Sequence, residues 1–297
     1  MAILVTCKTR IVIQGMTGHT GRNLTTRLVA ERSPVVCGVS PGRGGQQVEG
    51  LPVLDSCYQA VREHGVDASF ISVPAALARD AALEAIDAGI RTIVVYAEGV
   101  PVHDALEIQA HARLRGARLL GPNAAGCISP GEANLSDLGA AWLSSGSVGI
   151  VSKSGTLTYE VIEGLKHEGL GQSSVVCLGG DPVVGMKHAD VLQLFEADPD
   201  THVVVLIGEI GGRSELDAAA IVNSMKKPVV AYIAGRHAPS GKRMGHAGAL
   251  MGSSHENALG KQAALSEAGA VVVESLVQVA GAVGEHLPGN DEIKASR

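Results

Sequence analysis

Short runs rich in Val, Ile and Leu alternate along this chain with stretches of helical period, and that alternation leaves few folds open. A strand reaches a parallel neighbour only through a crossover, usually a helix, so the pattern is that of parallel sheets covered by helices on both faces. In the first half the strand runs are 11–14, 35–39, 69–73, 92–96 and 118–121, with helices over 80–88, closed by Gly89, and 104–115, closed by Gly116. In the second half the strand runs are 149–152, 174–178, 203–208, 229–234 and 270–273. The helices there span 156–167 (ending at Gly169), 190–196, 214–225 and 259–267 (ending at Gly269).

At 297 residues the chain exceeds what one core usually organises, so two domains are expected. The stretch 122–146 is rich in Gly, Pro, Asn and Ser and has no periodicity, which places the boundary there. The expected division is a first domain over 1–122, a connecting segment over 123–146 and a second domain over 147–297, with a tail that frays from about 288. Both domains read as doubly wound α/β units, which keep ligands at the C-terminal ends of their strands.

Composition narrows the class further. Charged residues are 18% of the chain against about 25% in typical domains, and hydrophobic residues are 45%, a buried-core composition rather than a disordered one. Seven aromatic residues against 38 glycines leave the core to Val, Ile, Leu and Ala. A net charge of −6 without a basic run argues against nucleic acid and anionic membranes. No apolar stretch reaches the length of a membrane span. Five scattered cysteines without a CxxC pair read as reduced thiols. The chain enters a strand run by Arg10 with no signal-like segment before it, so a cytoplasmic protein is expected.

Five places have residues suited to chemistry. Gly15-Met16-Thr17-Gly18-His19-Thr20-Gly21 follows the first strand and opens a helix, where glycines admit a phosphate to the backbone and the helix N-terminus supplies donors. The same spacing also serves a tight strand-to-helix turn. After the second strand an NAD site would carry an acid for the ribose hydroxyls. Here stands Ser40-Pro41-Gly42-Arg43-Gly44-Gly45, and Arg43 suits a phosphate on the ribose, as in NADP or coenzyme A, unless it is a plain surface arginine. Ser152-Lys153-Ser154-Gly155-Thr156 forms a second anion site or a simple helix cap. Glu209, followed by Ile210-Gly211-Gly212, ends a buried strand run where such folds keep active sites. Last, His246 lies among small residues in Ala238–Ala249 (238–249), with Lys242 and Arg243 just before it. A metal site built from His237, His246 and His255 fails on spacing, because nine helical residues turn about 900° and put neighbours on opposite faces. Metal ligands are therefore not expected.

The segment Gly241-Lys242-Arg243-Met244-Gly245-His246-Ala247-Gly248-Ala249 resembles the phosphohistidine loop of the succinyl-CoA synthetase (succinate–CoA ligase) α-subunit family. That family lies within a wider group of acid–CoA ligases that includes ATP-citrate lyase. The resemblance continues through Gln14-Gly15-Met16-Thr17-Gly18, Gly121-Pro122-Asn123, the run 149–160, Gly179-Gly180-Asp181-Pro182 and Ile207-Gly208-Glu209-Ile210-Gly211-Gly212. It implies a Rossmann-like CoA-binding domain followed by a flavodoxin-like ligase domain. It also implies an enzyme that joins a carboxylic acid to CoA through an acyl phosphate, with a histidine relaying phosphate to or from ADP or GDP. By position His246 is the phosphorylated nucleophile, and Glu209 orients its ring. Thr17, Gly18, His19, Thr20, Arg43, Tyr96, Ala97 and Glu98 would line the CoA site, while Asn123, Ser154, Gly155 and Tyr159 would face the acid or phosphate. ATP or GTP with Mg²⁺ would bind an ATP-grasp β subunit in an αβ or α₂β₂ assembly.

The sequence departs from the family pattern at three places. Arg43 stands where lysine is usual, Ala124-Ala125-Gly126 replaces Cys-Pro-Gly, and Gly252-Ser253-Ser254-His255-Glu256-Asn257 replaces a Gly-Gly-Lys-Gly-Thr-Ala run. Malate and citrate therefore stand beside succinate as candidate acids. Two readings outside the family compete with it. An NADP-dependent oxidoreductase would use the glycine turn and Arg43 but leave His246 idle, and a non-catalytic CoA-binding module would need neither His246 nor Glu209.

Overall fold

The structure is a computed structural model that describes residues 2–239, 244–250 and 256–287. It divides into two compact units, one formed by Leu4–Ala140 with Cys177–Met186, the other by Met1–Ile3, Ala141–Val176 and Lys187–Arg297.

The first unit runs β1 (Ile11–Gln14), α1 (His19–Ala30), β2 (Val35–Val39), β3 (Gln47–Val48), β4 (Leu51–Leu54), α2 (Cys57–His64), β5 (Ala68–Ile71), α3 (Ala75–Asp87), β6 (Thr92–Val95), α4 (Val102–Arg115), β7 (Arg118–Leu120), β8 (Gly126–Ser129) and β9 (Ala133–Ser136). Its sheet has the order β3-β4-β2-β1-β5-β6-β7. All neighbours pair parallel except the short β3–β4 turnback. β1 and β5 are buried at every position, as strands covered by helices on both faces must be. Val12, Cys37, Ile71, Ile93 and Ile108 lie in the apolar cluster on one side of this sheet. The strand order reverses at β1, with β2 on one side and β5 on the other, so the crevice lies at the end of β1.

The expected connecting segment is not structureless. It contains the antiparallel pair β8–β9, in which every residue is buried, joined across Pro130 and Gly131. Small and polar side chains such as Ser129, Asn134 and Ser136 hide the strand period there, and Asn134 accepts from Ser136 N while donating to Leu138 O. Segment 177–186 returns to this unit: the Gly185 and Met186 amides donate to Gly121 and Leu119 oxygens at 2.9 and 2.7 Å.

The second unit runs β10 (Ser145–Ser152), α5 (Gly155–His167), β11 (Gln172–Cys177), α6 (His188–Ala197), β12 (Val203–Glu209), α7 (Ser214–Val222), β13 (Val229–Ala234), α8 (Ala258–Glu267), β14 (Val271–Val273) and α9 (Val277–His286). Its strands follow the order β14-β13-β12-β10-β11, the doubly wound order whose switch point lies between the first and third strands, here β10 and β12. β12 is buried along all seven residues and pairs parallel with β10 and β13. Both units are thus doubly wound, as the alternating pattern indicates. All five cysteines are free thiols, four of them buried, and burial pushes Cys37 up to about 12. Among the described residues no helix is long and apolar enough to cross a membrane.

Candidate active site

In the first unit the candidate residues sit on loops at the C-terminal ends of β1, β2 and β6. Gly18 caps α1, and its amide donates to Gly15 O at 3.0 Å to close the turn. A Cβ on Gly21 would overlap the Gly15 carbonyl, so that glycine lets the helix start against the turn. The Thr17 hydroxyl bonds Ser40 Oγ at 3.1 Å and ties the β1 loop to the β2 loop. Arg43 follows in a turn whose Arg43 N–H donates to Ser40 O at 3.0 Å, and its side chain is exposed. His19, Thr20 and Glu98 are exposed as well. Tyr96 donates its hydroxyl to Asp137 Oδ2 at 3.0 Å, and Ala97 O accepts from Asn123 N at 2.9 Å. Asn123, at φ +58, therefore belongs to this unit.

In the second unit the switch point brings two expected groups into contact. His246 Nδ1 lies 2.8 Å from Glu209 Oε2, the His side chain 27% and the Glu side chain 11% exposed. A carboxylate on Nδ1 holds the proton on that nitrogen and leaves the lone pair on Nε2, the tautomer a nucleophile needs. The loop carrying His246 is folded on itself: Met244 N donates to Ala249 O at 3.0 Å and Ala249 N to His246 O at 3.1 Å. Ser240, Gly241, Lys242, Arg243, the run 251–255 with His255, and the tail from Pro288 lie outside the described residues.

Beside this pair, α5 begins two residues after β10. The Ser154 hydroxyl accepts from Leu157 N at 3.2 Å, and Ser152 Oγ accepts from Ser154 N at 3.0 Å. Ser154 is thus a helix cap, and the donors turned outward at this N-terminus are first-turn amides such as those of Gly155 and Thr156. Tyr159 points along α5 to Trp142, edge to face at 6.4 Å.

Two residues behind Glu209, Glu215 and Lys261, carry no signal in the sequence. Glu215 in the first turn of α7 and Lys261 in α8 are fully buried and form an ion pair, and Lys153 Nζ lies 3.4 Å from the other Glu215 oxygen. Burial works against the Glu215 charge, yet Lys153, His188 and Lys261 hold its carboxyl down at about 2. Next to them His188 bonds Ser214 Oγ at 2.8 Å through Nδ1, and burial drives its imidazole down to about 4. Glu215 and Lys261 read in sequence as ordinary helix residues; only the fold gathers them with Lys153.

Residues 6–99 match the CoA binding domain family, and residues 151–271 match the CoA-ligase family. The chain is 49% identical over 287 residues to succinate–CoA ligase [ADP-forming] subunit alpha 2 of Archaeoglobus fulgidus, covering 97% of this chain and 100% of that one. It is 45% identical to the corresponding alpha subunit of Aquifex aeolicus, over 97% of this chain and 95% of that one. The chain belongs to the succinate–CoA ligase α-subunit family. The chain is also 40% identical to a subunit of the ADP-forming sulfoacetate–CoA ligase of Bilophila wadsworthia, over 92% of this chain and 95% of that one. The fold matches that of ATP citrate lyase from Methanothrix soehngenii, solved with citrate and coenzyme A, at a TM-score of 0.89 and 24% identity. That match covers 99% of this chain and 51% of the lyase, so the chain spans about half of that longer protein.

Proposed function

We propose that this chain is the α subunit of an ADP-forming acid–CoA ligase whose acid is succinate, acting with an ATP-grasp β subunit in the cytoplasm. The observation that carries the reading is the 2.8 Å contact between His246 Nδ1 and Glu209 at the switch point of the second sheet. In the proposed cycle Nε2 of His246 takes the terminal phosphoryl of ATP from the β subunit, and ADP leaves. The acid's carboxylate then takes that phosphoryl to give an acyl phosphate and returns His246 to its neutral form. The thiolate of CoA attacks the acyl carbon, and inorganic phosphate departs as the thioester forms.

In this reading Thr17, Gly18, His19, Thr20, Arg43, Tyr96, Ala97 and Glu98 hold CoA, with Arg43 on its 3′-phosphate. The start of α5 at Ser154 and Gly155 receives the phosphoryl group, and Asn123 and Tyr159 face the acid. Succinate is favoured over other acids by the higher identity to the succinate–CoA ligase subunits, 49% against 40% for the sulfoacetate enzyme.

Phosphate moves between groups only when the reacting atoms come within about 3–3.5 Å, so the nucleotide must reach His246 on a second surface. The purified chain with labelled MgATP is expected to take no label, and adding the β subunit is expected to produce one acid-labile phosphate on His246. Stoichiometric label on the chain alone would overturn the assignment of the nucleotide to a partner. Thioester formation across succinate, malate, citrate and sulfoacetate then identifies the acid, and a preference for any but succinate overturns that part.

A further inference from the structure

Resting on the reading of His246 as the phosphate carrier, we infer that Lys261 is a positioning residue that locks the turn 209–211 so that Glu209 presents its carboxylate to His246. An ammonium has three donors, and Lys261 spends all three on this task. It donates to Glu209 O at 2.7 Å, to Gly211 O at 2.7 Å and to the Glu215 carboxylate. The same Glu215 accepts from Glu209 N at 3.2 Å through its other oxygen, so the peptide groups on both sides of Glu209 are held by one buried ion pair.

The surroundings are shaped for this arrangement. A Cβ on Gly208 would lie 2.6 Å from Glu215 Cγ, so the strand must be bare there to admit the carboxylate. Gly211 adopts φ +83 and donates its amide to Glu256 O at 2.9 Å. A side chain on Gly211 would overlap the backbone of the His246 loop at Gly248. The turn is thus pinned from α7, from α8 and from the loop that bears its histidine partner. Two ammonium groups, Lys153 and Lys261, flank the single carboxylate of Glu215, an expensive burial of charge directly behind the turn that carries Glu209.

The test uses the full chain, alone and with its β subunit, carrying Lys261→Met, which keeps length and removes all donors. Thermal melting followed by Trp142 fluorescence reports whether the second unit of the variant folds, and Lys261→Gln, with two donors left, takes its place if it does not. Nitrogen NMR of the His246 ring is expected to change from a fixed Nδ1–H tautomer to a mixture. Phosphorylation of His246 is expected to slow about ten- to a hundredfold, with kcat reduced and the KM for CoA unchanged. In a Glu209→Gln background the same change is expected to cost less than twofold, because the group it positions is already lost. An unchanged tautomer, or an equal loss in both backgrounds, overturns the inference. Absence of label on wild-type His246 overturns the functional reading instead, while the tautomer of wild type and variant still decides the role of Lys261.

Discussion

At the switch point of the first sheet the candidate groups lie at the surface: His19, Thr20, Arg43 and Glu98 are exposed, and most of the local hydrogen bonds hold backbone to backbone. At the switch point of the second sheet the His246–Glu209 pair is half-buried, and behind it stand Glu215 and Lys261, both 0% exposed. The doubly wound plan, in two different strand orders, therefore serves two purposes. A loop crevice with an exposed arginine suits a ligand that arrives and leaves, whereas a buried charge cluster suits the holding of a side chain in one place.

The sharpest break between the two regions is His246→Asn. Turnover is expected to fall more than a hundredfold while the affinity for CoA in titration calorimetry stays unchanged, and retention of a hundredth or more of the rate would remove the nucleophile. In the other region, Arg43→Ala is expected to weaken CoA about ten- to a hundredfold and dephospho-CoA hardly at all, since a charge-assisted bond to the 3′-phosphate contributes about 1.5–3 kcal/mol. Equal losses for both ligands would move Arg43 away from that phosphate.

A pH series sharpens the contrast. His188 titrates at about 4 in the folded chain against 6.5 ordinarily, so between those values the unfolded chain binds more protons than the folded one. Stability of the second unit is therefore full above about pH 6.5 and declines as the pH falls toward 4, by on the order of 3 kcal/mol. Trp142 is the sole tryptophan and lies in this unit, so urea melts followed by its fluorescence read that unit directly. His188→Asn is expected to flatten the decline, and an unchanged slope would exclude His188 as its source. The smallest effect is expected for Ser154→Ala, which removes the cap of α5 and lowers stability by about 1 kcal/mol in the same melts.

Much of this fold is legible in the sequence where a strand is β-branched and bounded by turn residues. β1, β2 and β13 begin and end where the apolar runs do, and Gly89, Gly116, Gly169 and Gly269, read as helix closers, all have positive φ. Elements that break those rules are hidden. β4 contains Pro52, α2 spans only eight residues, and α9 carries Gly281 and Gly284, which weaken its helical signal. The β8–β9 pair is missed because small polar residues fill buried positions, although Pro130 and Gly131 mark its turn. In the candidate site Glu209 and His246 are legible through their flanking glycines. Lys261 lies 52 residues beyond Glu209, on a helix that offers no local reason to bury a charge, so its partners emerge only in three dimensions.

The return of segment 177–186 to the first unit has a consequence for how the chain is made. A ribosome delivers residues in order, and the first unit lacks that segment until Met186 has emerged. By then β10, α5 and β11 of the second unit have already been synthesised. Gln109, Gly121 and Leu119 wait for partners encoded well downstream. A gene cut after Ala140 would accordingly yield a first unit with those groups still unmet, and no single cut separates the two units cleanly. The chain is sewn rather than strung, and its first half is finished only by a stitch from the second.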